Sequence, residues 1–219
     1  MHTSHPEKIV AIPADSVLLE GALALPEHAQ GLVVFAHGSG SSRFSPRNNY
    51  VARVLQQAGI GTLLMDLLTK EEDALYETRF DIDLLTDRLL LATLWLREQP
   101  DTRHLIIGYF GASTGAAAAL KAAATPGSSI SAVVSRGGRP DLAEDALAHV
   151  QSPTLLIVGG NDDIVLQLNR EAFARLPGKK ELVIVPGATH LFEEPGALEQ
   201  VAHAAAQWFK RYVGSVSAH

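Results

Sequence analysis

Short, almost wholly apolar stretches recur along the chain, each followed by a glycine-rich or polar turn and then by a segment with helical spacing. Residues 31–36, 61–66, 104–110, 130–134, 154–158 and 181–185 are of the apolar kind. Continuous rather than alternating apolar runs belong to strands buried on both faces. Between them, leucines among acids over 80–97, the alanine-rich stretch 116–124, and residues 166–175 and 197–212 carry helical spacing. The last places Val201, Ala205, Trp208, Phe209 and Tyr212 on one face. A further helix is predicted over 49–58, ended by Gly59, with Pro46 keeping residues 43–45 in a loop, and a short one over 141–149. Residues 8–12 and 16–25, parted by Pro13-Ala14-Asp15, read as a hairpin at the sheet edge. The connection 67–79 is charged, and its Glu71-Glu72-Asp73 run reads as a solvated face. Strands alternating with helices predict a mostly parallel sheet with helices on both faces. No repeat or linker divides the chain, so one α/β domain over residues 1–219 is expected.

Three of the turns carry candidate chemistry. The run ending at Phe110 leads into Gly111-Ala112-Ser113-Thr114-Gly115 and then directly into the alanine-rich helix. A Gly-x-Ser-x-Gly sequence between strand and helix makes a nucleophile elbow, a strained turn that exposes the serine hydroxyl at the carboxyl edge of the sheet. After the strand 154–158 comes Gly159-Gly160-Asn161-Asp162-Asp163, and after 181–185 comes Pro186-Gly187-Ala188-Thr189-His190. Serine, acid and histidine thus follow in the chain order of α/β-hydrolase triads, each just past a strand's carboxyl end, where open parallel sheets place their sites. Ser113 is the candidate nucleophile and His190 the candidate base, with the acid at Asp162 or Asp163. The loop His37-Gly38-Ser39-Gly40 after the first central strand suits an oxyanion hole, with donors from the backbone N–H groups of Ser39 and Thr114. His37 itself reads as a structural hydrogen-bonder behind that loop. His2, His5, His104, His149, His203 and His219 join no constellation.

Composition narrows the partners more than the chemistry. The 219 residues suffice for a substantial core, and 47% are hydrophobic. With no cysteine, thiolate nucleophiles, thiolate metal sites and disulfides are excluded. A net charge of −6 offers no basic footprint for nucleic acid. No apolar run approaches the roughly 20 residues of a membrane helix, and the first residues lack a basic start followed by an apolar core. A cytoplasmic location is the default expectation, with no membrane partner and neither metal nor organic cofactor implied.

With these residues in place, the chain resembles the α/β-hydrolase superfamily, and within it the small, lidless dienelactone-hydrolase-like group. Gly38-Ser39-Gly40-Ser41-Ser42-Arg43, Ser45-Pro46-Arg47-Asn48, the elbow, Ser135-Arg136-Gly137-Gly138-Arg139-Pro140 and Gly187-Ala188-Thr189-His190-Leu191-Phe192 look like a bacterial hydrolase family, some members of which are fused to a phosphoribosyltransferase domain. No such domain is seen in these residues, so phosphoribosyl chemistry is not carried over. The resemblance picks Asp162 as the acid, three residues before Val165, with Asp163 as the fallback. It also exposes a departure: the nucleophile is Ser113 where dienelactone hydrolases proper carry a cysteine, so their substrate is not assumed. The resemblance and the residues together imply a serine hydrolase acting on small or soluble esters, with amide or thioester cleavage and a non-catalytic binding module as the alternatives. Arg43 and Arg47 follow the oxyanion strand, and Arg136 and Arg139 follow the strand beside the nucleophile. They either pair with acids and hold loops, or bind a carboxylate or phosphate on the substrate.

Overall fold

The computed structural model describes residues 7–214. Its eight strands are β1 (Lys8–Ala14), β2 (Val17–Ala24), β3 (Gly31–Ala36), β4 (Gly61–Met65), β5 (Ile106–Ala112), β6 (Val133–Arg136), β7 (Thr154–Gly159) and β8 (Lys180–Val185). They form one sheet in the order β1-β2-β4-β3-β5-β6-β7-β8. The predicted hairpin is the antiparallel β1–β2 edge, and β2 is antiparallel to β4; every other pairing is parallel. Parallel strands need crossovers, supplied here by α1 (Pro46–Gln57), α3 (Ile82–Glu98), α4 (Thr114–Ala124) and α5 (Asp163–Arg175); α6 (Ala197–Tyr212) closes the chain.

The pleat sorts the strand residues into two cores. In β3, Leu32, Val34 and Ala36 join a core with α3 and α4, while Val33 and Phe35 join one with α1 and α6. On α6 the predicted face is the observed one: Val201, Ala205, Trp208 and Phe209 are buried. Burying a residue such as Val201 or Phe209 contributes about 1.5–3 kcal/mol. The alanine run of α4 is buried almost throughout, so small side chains let the helix lie close to the sheet.

Several boundaries differ from the sequence reading. Helix α1 starts at Pro46, three residues earlier than expected, because proline suits the first helical position and Ser45 caps it by accepting from the Asn48 amide. Strand β6 begins later and runs on through Ser135 and Arg136. The expected helix at 141–149 is a 3-10 segment, Pro140–His149, broken at Glu144 where φ is 51°. The connection after β4 contains α2 (Lys70–Asp73) and a 3-10 turn, Glu77–Phe80. Glu72 in it is more than a solvated acid: it closes a capping box with Thr69 and accepts from the buried Arg88 at 2.8 Å. Among the described residues no large insertion covers the carboxyl edge of the parallel strands, and no helix is long and apolar enough to cross a membrane.

Candidate active site

Strand β5 ends in the elbow. Ser113 has φ 51° and ψ −121°, a setting that costs a non-glycine residue of order 1–3 kcal/mol and persists only if its surroundings hold it. They do so from both sides. The Ser113 amide donates to the Arg136 carbonyl at 3.3 Å, and the Ser113 carbonyl accepts from the amides of Ala116 and Arg139, each at 3.1 Å. The motif's second glycine is sterically required, since a Cβ on Gly115 would lie 2.2 Å from the Ala36 carbonyl oxygen. Helix α4 can therefore start directly against the end of β3, leaving Ser113 half-buried at the edge.

The candidate acid and base follow the ends of two further strands, β7 and β8. Asp162 stands at the N-cap position of α5 but caps nothing with its side chain. Its carboxylate instead accepts from His190 Nδ1 at 2.7 Å. The Asp162 side chain is 15% exposed and that of His190 40%, so the shared hydrogen bond is sheltered while the outer side of the imidazole stays open. His190 Nε2 has no partner among the described residues. Asp163, the fallback acid, begins α5 and is exposed. It makes no hydrogen bond to His190.

Sequence reasoning did not single out the supports of His190. Gly137 has φ 51°, and a Cβ there would meet the His190 carbonyl oxygen at 3.2 Å and Nδ1 at 3.6 Å. The only legible signal was the Gly137-Gly138 pair after a strand. Glu194 accepts from the Thr189 amide at 3.0 Å and from the Thr189 hydroxyl, and these bonds hold its carboxyl below the usual range.

The candidate oxyanion loop lies against Ser113: a Cβ on Gly38 would be 3.1 Å from Ser113 Cβ. Neither the Ser39 amide nor the Thr114 amide donates to another group among the described residues, and the Thr114 amide opens α4, where helix amides lack intrahelical partners. Behind the loop, His37 is 6% exposed. Its Nε2 accepts from the Leu67 amide at 3.0 Å and its Nδ1 donates to the Gly38 carbonyl at 2.9 Å, which fixes one neutral tautomer. Burial pushes this imidazole below its ordinary 6.5.

The arginines part company. Arg43 is taken up by Asp66 and Glu20 and lies over the Phe44 ring. Of the two roles open to Arg43, holding loops by pairing with acids is the one these contacts favour, because two carboxylates already balance its charge. Arg139 pairs with Asp141 at 2.7 Å. Arg47 reaches Glu193, next to the His190 loop, at 3.2 Å. Arg136 is buried and faces no carboxylate; Nη2 donates to Asn48 Oδ1 at 3.2 Å. His2, His5 and His219 lie outside the described residues, and among those described His203 bonds Gln207.

A hollow of about 1080 Å³ lies elsewhere, between α3, the end of α4 and the loops entering β6 and β7. It holds none of these groups, and the candidate site is chosen by convergence of chemistry rather than by volume. No group of three or more histidine or acidic residues among those described could hold a metal ion.

Comparison with known proteins gives the family and the fold. Residues 19–217 match the dienelactone hydrolase family. The chain belongs to that family. A solved structure of a dienelactone hydrolase from Anabaena variabilis is 57% identical, covers 95% of this chain and 98% of its own, and superposes with a TM-score of 0.93. The Pyrococcus furiosus esterase Pf2001 shares the fold at 19% identity, with coverage of 96% and 94% and a TM-score of 0.78. A putative phosphoribosyl transferase of Mycobacterium tuberculosis is 62% identical over 200 residues, which are 91% of this chain but 45% of that protein. The chain thus spans about half the length of the curated relatives it matches.

Proposed function

We propose that this member of the dienelactone hydrolase family is a serine hydrolase that cleaves small or soluble esters through an acyl-enzyme on Ser113. The observation that carries the reading is the pairing of a strained, hydrogen-bonded Ser113 with an Asp162–His190 couple on the same sheet edge. In this reading His190 Nε2 takes the Ser113 proton as Oγ attacks the ester carbonyl, and Asp162 holds the Nδ1–H tautomer and stabilises the imidazolium. The Ser39 and Thr114 amides receive the developing oxyanion, and their lack of other partners leaves them ready to do so. The alcohol leaves with the proton from His190. Water, activated by the same imidazole, then releases the acid and restores Ser113.

The absence of a large covering insertion among the described residues supports soluble esters over long-chain lipids. The name of the longer mycobacterial relatives is not taken over, since the groups gathered here suit acyl transfer to water. Hydrolysis of short p-nitrophenyl esters tests the reading. Wild type should turn them over and form one phosphonate adduct on Ser113, while Ser113→Ala should lose at least about 10⁴-fold in kcat. An unlabelled, inert wild type would move the non-catalytic binding module to the front, and faster cleavage of matched amides or thioesters would reassign the bond.

A further inference from the structure

Among the described residues, Arg136 is a buried guanidinium for which no counter-charge is supplied. Arg136 is 7% exposed, and its only side-chain hydrogen bond among the described residues runs to the neutral amide oxygen of Asn48. Its Nε is buried without a partner. The charge acting on it is that of Arg47, of the same sign, and burial together with Arg47 pulls its pKa down to about 10, which still leaves it cationic at neutral pH. The remaining nearby pair, Arg47–Glu193, is neutral overall, so the cluster keeps one uncompensated positive charge. A buried ion without a partner is costly, and proteins rarely keep one unless something binds it.

Its position says what that could be. Arg136 ends β6 opposite Ala112, the residue before the nucleophile. Its own carbonyl holds the Ser113 amide, and the next residue, Gly137, packs on His190. The pleat turns its side chain toward α1, where Asn48 meets it, and its guanidinium lies 6.0 Å from the Phe192 ring, two residues past His190. The cation therefore sits between the start of α1 and the loop that carries the base.

We infer that Arg136, assisted by Arg47, forms an anion subsite beside Ser113 that takes a carboxylate or phosphate borne by the substrate. The inference rests on the hydrolase reading for the word substrate, though not for the binding of the anion. A planar fork with Nε and one Nη turned to the ligand suits either oxyanion. Glu193 occupies Arg47 in the free chain and would yield it, because the Glu193 side chain is 66% exposed and an ion pair open to water on one side is weak.

Two readouts keep the inference and the hydrolase reading apart. The first is selectivity between p-nitrophenyl butyrate and the p-nitrophenyl hemiester of glutarate, in wild type, Arg136→Met, Arg136→Lys and Arg47→Gln. A charge-assisted pair lost from Arg136→Met should cut the anionic-to-neutral ratio of kcat/KM about 10- to 100-fold through KM, with Lys intermediate and Arg47→Gln smaller. The second is thermal unfolding with and without inorganic phosphate or glutarate. Wild type should gain Tm with one or both, and the anion that stabilises it names the source; Arg136→Met should gain with neither. Removing an unpaired buried charge should also leave ligand-free Arg136→Met at least as stable as wild type. An equal loss on both esters, or a wild type that neither prefers the hemiester nor is stabilised by either anion, overturns the subsite while ester turnover stands. Anion stabilisation that needs Arg136 in a protein with no turnover keeps the subsite and removes the hydrolase reading. If Arg136→Met does not fold, a wild-type ratio retained in Arg136→Lys and Arg47→Gln together overturns the subsite.

Discussion

Asp162 and Asp163 differ in one respect that bears on their proposed roles: of the two, only Asp162 bonds His190. A carboxylate at an N-cap ordinarily accepts from the first-turn amides and contributes about 1 kcal/mol, yet here it is directed at His190 Nδ1. Asp162→Asn should therefore favour the wrong imidazole tautomer and lower kcat about 10⁴-fold with little change in KM. Asp163→Asn should stay near wild type, apart from a small loss of stability at the α5 dipole. Steady-state kinetics on one short ester separate the two, and comparable losses would mean that the acids share the role. At this scale the sequence was informative wherever chemistry left a residue signature, as at Ser113, His190 and the Asp162-Asp163 pair. Adjacent acids on a tight turn could not be told apart by spacing, because the choice rests on which carboxylate the turn swings toward the next strand. Gly137 left almost no signature, since its role is to be small beside His190.

Among the elements, α4 and the end of β3 are coupled through a contact that admits no side chain. A Cβ on Gly115 would approach the carbonyl oxygens of Ala36 and His37 to 2.2 and 2.5 Å, and both belong to backbone that carries the oxyanion loop. Gly115→Ala should consequently destabilise the protein by about 3 kcal/mol, at the upper end of overpacking effects, although alanine is the better helix former by about 1 kcal/mol. Surviving folded protein should turn over esters more slowly through kcat, as α4 and the loop are pushed apart. Urea unfolding and kinetics on the same sample check both, and an alanine variant of unchanged stability would mean that β3 can retreat. The alanine run already announced close packing of α4. The start of β6 was less legible for a backbone reason: the Ser131 amide and the Ala132 carbonyl already bond β5, but the strand gains its second neighbour only from Val133, opposite Thr154. Its end was misplaced because Ser135 and Arg136 look like loop residues, whereas main-chain hydrogen bonds do not depend on side-chain polarity. Arg136, on which the proposed anion subsite rests, is one of these strand residues.

For the molecule as a whole, the buried His37 ties the stability of the fold to pH. In the folded chain burial pushes its imidazole toward the neutral form, against smaller opposing influences from the Gly38 carbonyl, Asp66 and Asp73, and Nε2 accepts from the Leu67 amide. In the unfolded chain it titrates near 6.5. Below that pH the unfolded state binds a proton that the folded state refuses, so stability is complete above about 6.5 and falls as the pH drops toward the folded-state value. The slope is at most about 1.4 kcal/mol per pH unit for one proton. His37→Gln has no proton to gain, and its amide oxygen can still accept from Leu67. Its stability should lie below that of wild type at pH 7.5, with the gap narrowing between pH 6.5 and 5.0 as only wild type loses this contribution. Other histidines and the carboxylates titrate in both proteins and cancel in the difference. Urea midpoints at four pH values give the comparison. A gap that stays constant would mean that His37 titrates alike in both states, in which case the hydrogen bonds to Leu67 and Gly38 do not lock the neutral tautomer and the oxyanion loop is positioned by the chain around it.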